Sequence, residues 1–406
     1  MTSTATIQSV IDSQAVTTHF QPIVSIKKRS IIGVEALTRG NDGPYRLFAP
    51  EQLFSWAEEA KLLEELDSLC KRSSLQEFSK LQTKPEGLLI FLNLHAGRLS
   101  TGQLSAMAVR RGVEEAGLRA QDVVLELSDR NGDAPGLRSF FETCKSFGFT
   151  IAYDDLDGSS DGLRRLQSLR PDLVKVDDCL VRGISVDVVK QEQFRTIAAL
   201  ARRMGALTVA EGVENEEDAA LCLELGADLM QGFHFGRPVA ISNYPFSSIQ
   251  SAVDRSAGRL KANLAGRAHG RSRENAKHLQ LMDKMLGDMA GLEPQEFDQA
   301  LSGFVNAVAS VECLYAMNKA GLQVTRTVVW QHQRDNLRSL LFAPAVAGAD
   351  HSLKDYYLGL ALEDQQRFMS EPYVSMATGS LCRTVTARFN ALDGQEYILC
   401  MDIKTQ

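Results

Sequence analysis

The sequence predicts an α/β fold: a modified (β/α)8 barrel with one antiparallel strand, followed by a smaller α+β domain. Three observations lead there. Short apolar runs alternate with longer helical stretches from residue 17 to about 240, which is the signature of a parallel sheet. Seven of those runs end in a polar or charged residue, and a barrel gathers C-terminal strand ends on one face where active sites sit. After Pro238 the composition shifts and a second region begins.

The elements can be justified in order. His19-Phe20-Gln21-Pro22-Ile23-Val24 is the first strand, and the basic turn Lys27-Lys28-Arg29-Ser30 leads to Ile31-Ile32-Gly33-Val34, ending at Glu35. That link is too short for a parallel crossover, so the two strands form a hairpin and one of them runs antiparallel. Leu88 to Leu92 ends at Asn93, Val123 to Leu125 at Glu126, and Phe149 to Tyr153 at Asp154 and Asp155. Leu173-Val174 leads to Lys175, Ala206 to Ala210 ends at Glu211, and Asp228 to Met230 leads to Gln231. Glu51 to Leu69 and Gln191 to Met204 carry helical apolar spacing and supply crossovers.

In such a barrel Glu35, Glu126, Asp154, Asp155 and Glu211 converge. At an effective dielectric of about 20, two carboxylates about 4 Å apart repel by roughly 4 kcal/mol. So many carboxylates would protonate or splay apart unless cations held them, and hard divalent ions with oxygen ligands are the natural partners. Two ions roughly 3.5–4 Å apart suit phosphoester hydrolysis. Strand-end acids also serve as helix caps, and Asp157-Gly158-Ser159-Ser160 fits a turn and an N-cap. Capping leaves Asn93, Lys175 and Gln231 at the same edge unexplained.

Bulk properties exclude other classes. The chain has 406 residues, 44% hydrophobic and 23% charged, an ordinary globular composition that implies two domains or a barrel plus an addition. The net charge of −7 argues against binding a nucleic-acid polymer. The seven cysteines show no CxxC or Cys/His cluster, so neither a disulfide framework nor a zinc site is indicated. Cys179 and Cys222 sit in apolar surroundings and are expected in the core. The first residues lack the basic start and apolar core of a secretory signal, and no apolar run spans a bilayer, so a cytoplasmic chain without a membrane span is expected.

The same residues resemble the EAL domains, bacterial phosphodiesterases that linearise cyclic di-GMP. The resemblance covers about residues 15 to 245. F-Q-P-I-V at 20–24 is similar to the family's opening strand, and Glu35-Ala36-Leu37-Thr38-Arg39 matches E-A-L-x-R. F-L-N-L at 91–94, E-L-S-D at 126–129, Y-D-D-L-D-G at 153–158 and V-K-V-D at 174–177 follow in order. A-E-G-V-E at 210–214 and Q-G-F-H-F-G-R-P at 231–238 complete the series.

The resemblance implies a TIM-type barrel, hydrolysis of cyclic di-GMP to linear pGpG, and a homodimer. It implies Glu35, Asn93, Glu126, Asp154, Asp155 and Glu211 as ligands of two Mg2+ or Mn2+ ions, with Asp154 bridging. It makes Glu211 the general base and Lys175 the residue that orients the water and the scissile phosphate. Gln231 becomes a further polar site residue, Arg39 a phosphate holder, and Gln21 and Leu37 the lining of a guanine pocket. His95 and His234 are structural or peripheral in this reading.

Departures cluster after the aspartate pair. The family's Phe-Gly-Thr-Gly is here Leu156-Asp157-Gly158-Ser159, the second glutamate of E-L-T-E is Asp129, and the basic residue after K-I-D is Asp178. The direct ligand set is intact, but the organising loop is altered. Beside an active phosphodiesterase, the sequence therefore leaves open a cyclic di-GMP receptor with little turnover, and a protein-interaction domain.

Residues 246–298 read as a helical linker. Seven Lys/Arg against Glu274 between Arg255 and Lys277 could form a nucleic-acid or anionic-lipid patch, but with no aromatic residues interleaved they read as a solvated basic face. Leu279, Leu281, Met282, Met285, Leu286 and Met289 form a helical stripe for a second subunit or for its own domain. Residues 299–406 read as helix and then mostly strands, with Asp393-Gly394 as a hairpin turn. D-Y-Y-L at 355–358 and S-E-P-Y-V-S at 370–375 resemble a PAS- or Cache-like domain of the YkuI type. That resemblance implies a sensory or dimerising part, with Tyr356, Tyr357 and Tyr373 either lining a site for an unknown small ligand or serving as packing.

Overall fold

The computed structural model describes residues 3–41, 47–81, 85–95, 105–128, 136–241, 244–305, 310–330, 342–362 and 365–405. Asp129 lies outside them. The chain divides into two compact units, Met1–Leu264 and Ala265–Gln406.

The first unit is a closed barrel of eight strands. They are β1 (Val16–Ser25), β2 (Ser30–Asn41), then after a short strand β3 (Leu47–Phe48), β4 (Leu89–His95), β5 (Val123–Ser128), β6 (Thr150–Leu156), β7 (Leu173–Val176), β8 (Leu207–Ala210) and β9 (Leu229–Gln231). The sheet runs β1-β9-β8-β7-β6-β5-β4-β2 and closes through β1–β2. β1 is antiparallel to both β2 and β9, and every other barrel pair is parallel. The four-residue turn that forbade a crossover thus made the expected hairpin.

Period-two alternation decides what fills the barrel. Ile23, Phe91, Val124, Ala152, Leu173, Val209 and Leu229 pack into one interior cluster. Phe91 fits because the neighbouring strand β2 carries Gly33 under its ring: a Cβ there would meet the Phe91 ring at 2.6 Å. The outward strand residues pack with the surrounding helices in the larger core of the unit. The expected helix over 51–69 is broken in two, Pro50–Ala60 and Leu63–Ser79, at Lys61, whose φ of 60° ends the first helix. The helix expected near 191–204 runs Val188–Arg203. A helix Ser3–Asp12 precedes β1 and buries Ile7 and Val10.

A 45-residue helix, Phe246–Ala290, crosses the unit boundary. Its apolar stripe packs within the second unit: Leu281, Met282, Met285 and Met289 join Phe297, Leu314, Leu399 and Met401 in one core. That unit is a six-stranded sheet whose pairings are antiparallel. Its first strand, Val311–Asn318, is buried along seven of its eight residues because both faces of the sheet are covered. Tyr356 is buried against Cys313, Tyr315 and Cys400, and Tyr357 and Tyr373 pack beside it. Among the described residues no helix is long and apolar enough to cross a membrane.

Candidate functional site

The polar strand ends meet because each stands two residues beyond an interior apolar residue. Phe91 is followed by Asn93, Val124 by Glu126, Ala152 by Asp154, Leu173 by Lys175, Val209 by Glu211 and Leu229 by Gln231. On β1, which runs the other way, Gln21 stands two residues before Ile23. Glu35 follows Gly33 and pairs across from Gln21. The apolar layer thus carries a polar layer directly above it, at the C-terminal ends of the parallel strands.

Lys175 sits at the centre of that layer with 1% of its side chain exposed. Its Nζ lies 2.7 Å from Glu211, 2.8 Å from Glu126, 3.1 Å from Asp154 and 3.4 Å from Glu35. Glu35 also accepts hydrogen bonds from Gln231 Nε2 at 2.6 Å and Asn93 Nδ2 at 3.1 Å. Gln231 donates in addition to Gln21 Oε1 at 3.1 Å. Burial pushes the carboxyls of Glu126, Asp154 and Glu211 upward, and Glu35 and other neighbouring carboxylates add to the effect. Burial presses on Glu35 too, but Lys175 and the bonds from Gln231 and Asn93 outweigh it and hold its carboxyl low. Burial would lower Lys175, yet the four carboxylates hold its ammonium well above the usual lysine value.

The donor set fits a hard cation. One oxygen each from Asp154, Asp155 and Glu211 lies within 4.8 Å of the other two. Glu126 Oε2 is fully buried and meets no hydrogen-bond donor among the described residues. One ammonium cannot neutralise four carboxylates, and all these ligand atoms are the oxygens that Mg2+, Mn2+ and Ca2+ prefer. Asp155 is aimed by an irregularity: the β6–β7 register shifts between Tyr153 and Leu156, and Asp155 adopts φ of 56°. Left-handed backbone is uncommon at a residue with a side chain, and such strain clusters at functional sites.

Beside the carboxylates opens a cavity of about 520 Å³ lined by Gln21, Leu37, Arg39, Asp155, Glu211 and Gln231, among others. Every site residue expected from the sequence therefore lies in the polar layer or on this cavity's wall. The sequence reading missed Asp177, Arg182 and Phe233, which line the same cavity. Phe233 lies inside a quoted motif, and Arg182 stands four residues after Asp178, so both carried a faint signal. A second cavity, about 350 Å³, lies outside the barrel between Leu63–Ser79 and Ala106–Glu115 and contains none of the clustered carboxylates.

His234 is peripheral: its Nε2 lies 2.9 Å from Ser256 Oγ. Cys222 is buried, but Cys179 is exposed, against expectation. It falls in the single turn Asp178–Val181, where Leu180 and Val181 take the inward positions and leave Cys179 outside.

The family model for the EAL domain matches residues 4–238. The chain belongs to the EAL domain family. This EAL chain is 33% identical over 233 residues to the uncharacterised protein Rv1354c of Mycobacterium tuberculosis, covering 56% of this chain and 37% of that protein. It is 28% identical over 222 residues to the cyclic di-GMP phosphodiesterase PdeL of Escherichia coli, covering 54% and 61%. It thus spans less than two thirds of either relative's length. Among solved structures, Bacillus subtilis YkuI in complex with cyclic di-GMP and calcium shares the fold over 100% of both chains, with a TM-score of 0.79 at 19% identity. Klebsiella pneumoniae BlrP1, solved with calcium and cyclic di-GMP, is 27% identical with a TM-score of 0.51 over 57% of each chain.

Proposed function

We propose that this EAL barrel hydrolyses cyclic di-GMP to linear pGpG with two divalent cations, Mg2+ or Mn2+. The observation that carries the reading is the convergence of Asp154, Asp155 and Glu211 around one point at the edge of a cavity that also holds Arg39. Relatives of known name act on the same dinucleotide.

Glu35, Asn93, Glu126 and Asp154 would hold one cation, and Asp154, Asp155 and Glu211 the other. Bound there, the pair would supply Lewis-acid stabilisation for in-line hydrolysis of a phosphodiester. The protein's own groups do the rest. Glu211, whose carboxyl is pushed up by burial, takes the proton of the attacking water. Lys175, anchored by four carboxylates, keeps an ammonium beside the scissile phosphate. Arg39 offers its fork to a phosphate, Gln21 and Leu37 line the base, and Gln231 fixes Glu35. Residues 15–245 form the catalytic part of a cytoplasmic homodimer, 246–298 the linker, and 299–406 a PAS- or Cache-like sensory or dimerising part.

The test is turnover of cyclic di-GMP by the purified chain in Mg2+ or Mn2+, beside Glu35→Ala and Glu211→Gln, with binding recorded on the same samples. Linear dinucleotide from the unsubstituted chain alone supports the enzyme. Tight binding without product makes the chain a receptor and points to Leu156–Ser159. Neither binding nor product leaves a protein-interaction domain.

A further inference from the structure

The cavity beside the carboxylates is strongly acidic for a site that would take an anion. Seven carboxylates line it, against two guanidiniums, Arg39 and Arg182. The two arginines belong to different regions of the mouth. Arg39 lies on β2 and Arg182 just after β7, and those strands are four steps apart in either direction around the barrel. Their surroundings also differ. Arg182 Nη2 lies 2.8 Å from Asp178 Oδ2, and its Nε lies 3.6 Å from Glu214 Oε1. All three side chains are about half exposed.

The backbone holds this triad in place. Gly212, immediately after Glu211, has φ of 67°, and a Cβ there would meet Asp178 Cβ at 2.5 Å and Arg182 Nε at 3.5 Å. The Asp178–Arg182 segment therefore lies directly on the chain next to the expected general base.

One guanidinium with two carboxylates carries a net charge of −1. Such a group repels a phosphate, but it presents guanidinium donors and carboxylate acceptors side by side. A guanine edge carries both complements, with acceptors at N7 and O6 followed by donors at N1 and the 2-amino group. Adenine lacks the 2-amino group and replaces the O6 acceptor with a donor. Phe233, 43% exposed and on the same wall, is an aromatic ring with the Arg237 guanidinium 4.1 Å over one face, and a purine would stack on its other side.

We propose that Asp178, Arg182 and Glu214 read one guanine of the dinucleotide: Arg182 donates to its acceptor side, and the carboxylates accept from its donor side. Arg39, on the opposite side of the mouth, is left to the phosphate. This inference rests on the functional reading above. It also gives the acidic residue at 178, in place of the family's basic one, a purpose: it orients Arg182.

The experiment is calorimetric binding of cyclic di-GMP, cyclic di-AMP and cyclic di-IMP to the full chain in Ca2+, the ion present in the solved YkuI and BlrP1 complexes. Arg182→Ala should weaken cyclic di-GMP by about tenfold to hundredfold and cost cyclic di-AMP, which keeps only the N7 acceptor on that side, clearly less. Arg182→Lys, which keeps the charge but loses the fork, should restore only part of that affinity. Asp178→Asn should shrink the preference for cyclic di-GMP over cyclic di-IMP, which lacks the 2-amino group. Equal losses for the guanine and adenine ligands, or full rescue by lysine, would overturn the proposal, since Arg182 would then act as a charge or a strut. No loss on Arg182→Ala would overturn it as well. If the unsubstituted chain bound none of the three, the functional reading itself would fall, and this inference with it.

Discussion

Lys175 on β7 and Glu211, the first residue past the neighbouring strand β8, stand 2.7 Å apart at the centre of the barrel mouth. Removing the lysine strips Glu35, Glu126, Asp154 and Glu211 of the ammonium they share. Lys175→Met should therefore destabilise the barrel by roughly 3–5 kcal/mol, the usual cost of orphaning buried charge. Adding Mn2+ should recover part of the loss, because the ion replaces the missing positive charge. Urea melts in chelator and in Mn2+ measure both effects.

Ligand and loop acids should separate in a metal titration. Asp154→Asn should weaken Mn2+ binding at least tenfold. Asp157→Asn should leave it nearly unchanged, because Asp157 Oδ1 is engaged with the Ser159 backbone N–H at 2.9 Å. That bond holds the Asp157 carboxyl below the usual aspartate value. Calorimetry with Mn2+ reads the contrast directly.

The altered loop also has a conformational test. Positive φ falls on Gly158, at 79°, and Asp157 is spared it. A Cβ at Gly158 meets nothing closer than 3.6 Å, so only backbone strain opposes a side chain. Gly158→Ala should cost about 1 kcal/mol. Asp157→Ala should cost a similar amount through the lost turn bond. Thermal melts of the two variants would check this, and cyclic di-GMP turnover would show whether the loop sets the rate.

In the second unit, Asp402 is buried and accepts from Thr384 at 2.8 Å and Cys313 at 3.2 Å. Burial raises its pKa to about 6 from 3.8. Between those values the folded chain holds a proton that the unfolded chain has released, so stability falls as pH rises through that window. The full effect is about 3 kcal/mol. Asp402→Asn should flatten this component, seen as the difference between the two proteins in urea melts from pH 4 to 7.

How far the sequence foretold the site follows from one spacing rule. Asn93, Glu126, Asp154, Lys175, Glu211 and Gln231 could be read because a strand places residues i and i+2 on one face, and an apolar residue preceded each by two. Arg182, Asp177 and Glu214 follow no such rule: Asp177 and Glu214 fall inside quoted motifs, but where they and Arg182 come to lie depends on how the chain reverses after β7 and settles on Gly212. Cys179 was misread for a related reason: in one turn of helix, apolar neighbours in sequence point to the other side. Loop residues carry no periodicity to reveal their direction.

The reversed strand has a consequence for assembly of the barrel. Ile23 of β1 pairs with Gln231 of β9, so the two edges that close the ring are separated by most of the unit's length. On a ribosome adding about 5–20 residues per second, β1 is made roughly 10–40 s before its second neighbour exists. Its hairpin with β2 can form at once, but its other edge stays open throughout that interval. Ring closure is thus the last step available to the nascent chain, and the half-made barrel is the form in which β1 is most exposed to mispairing.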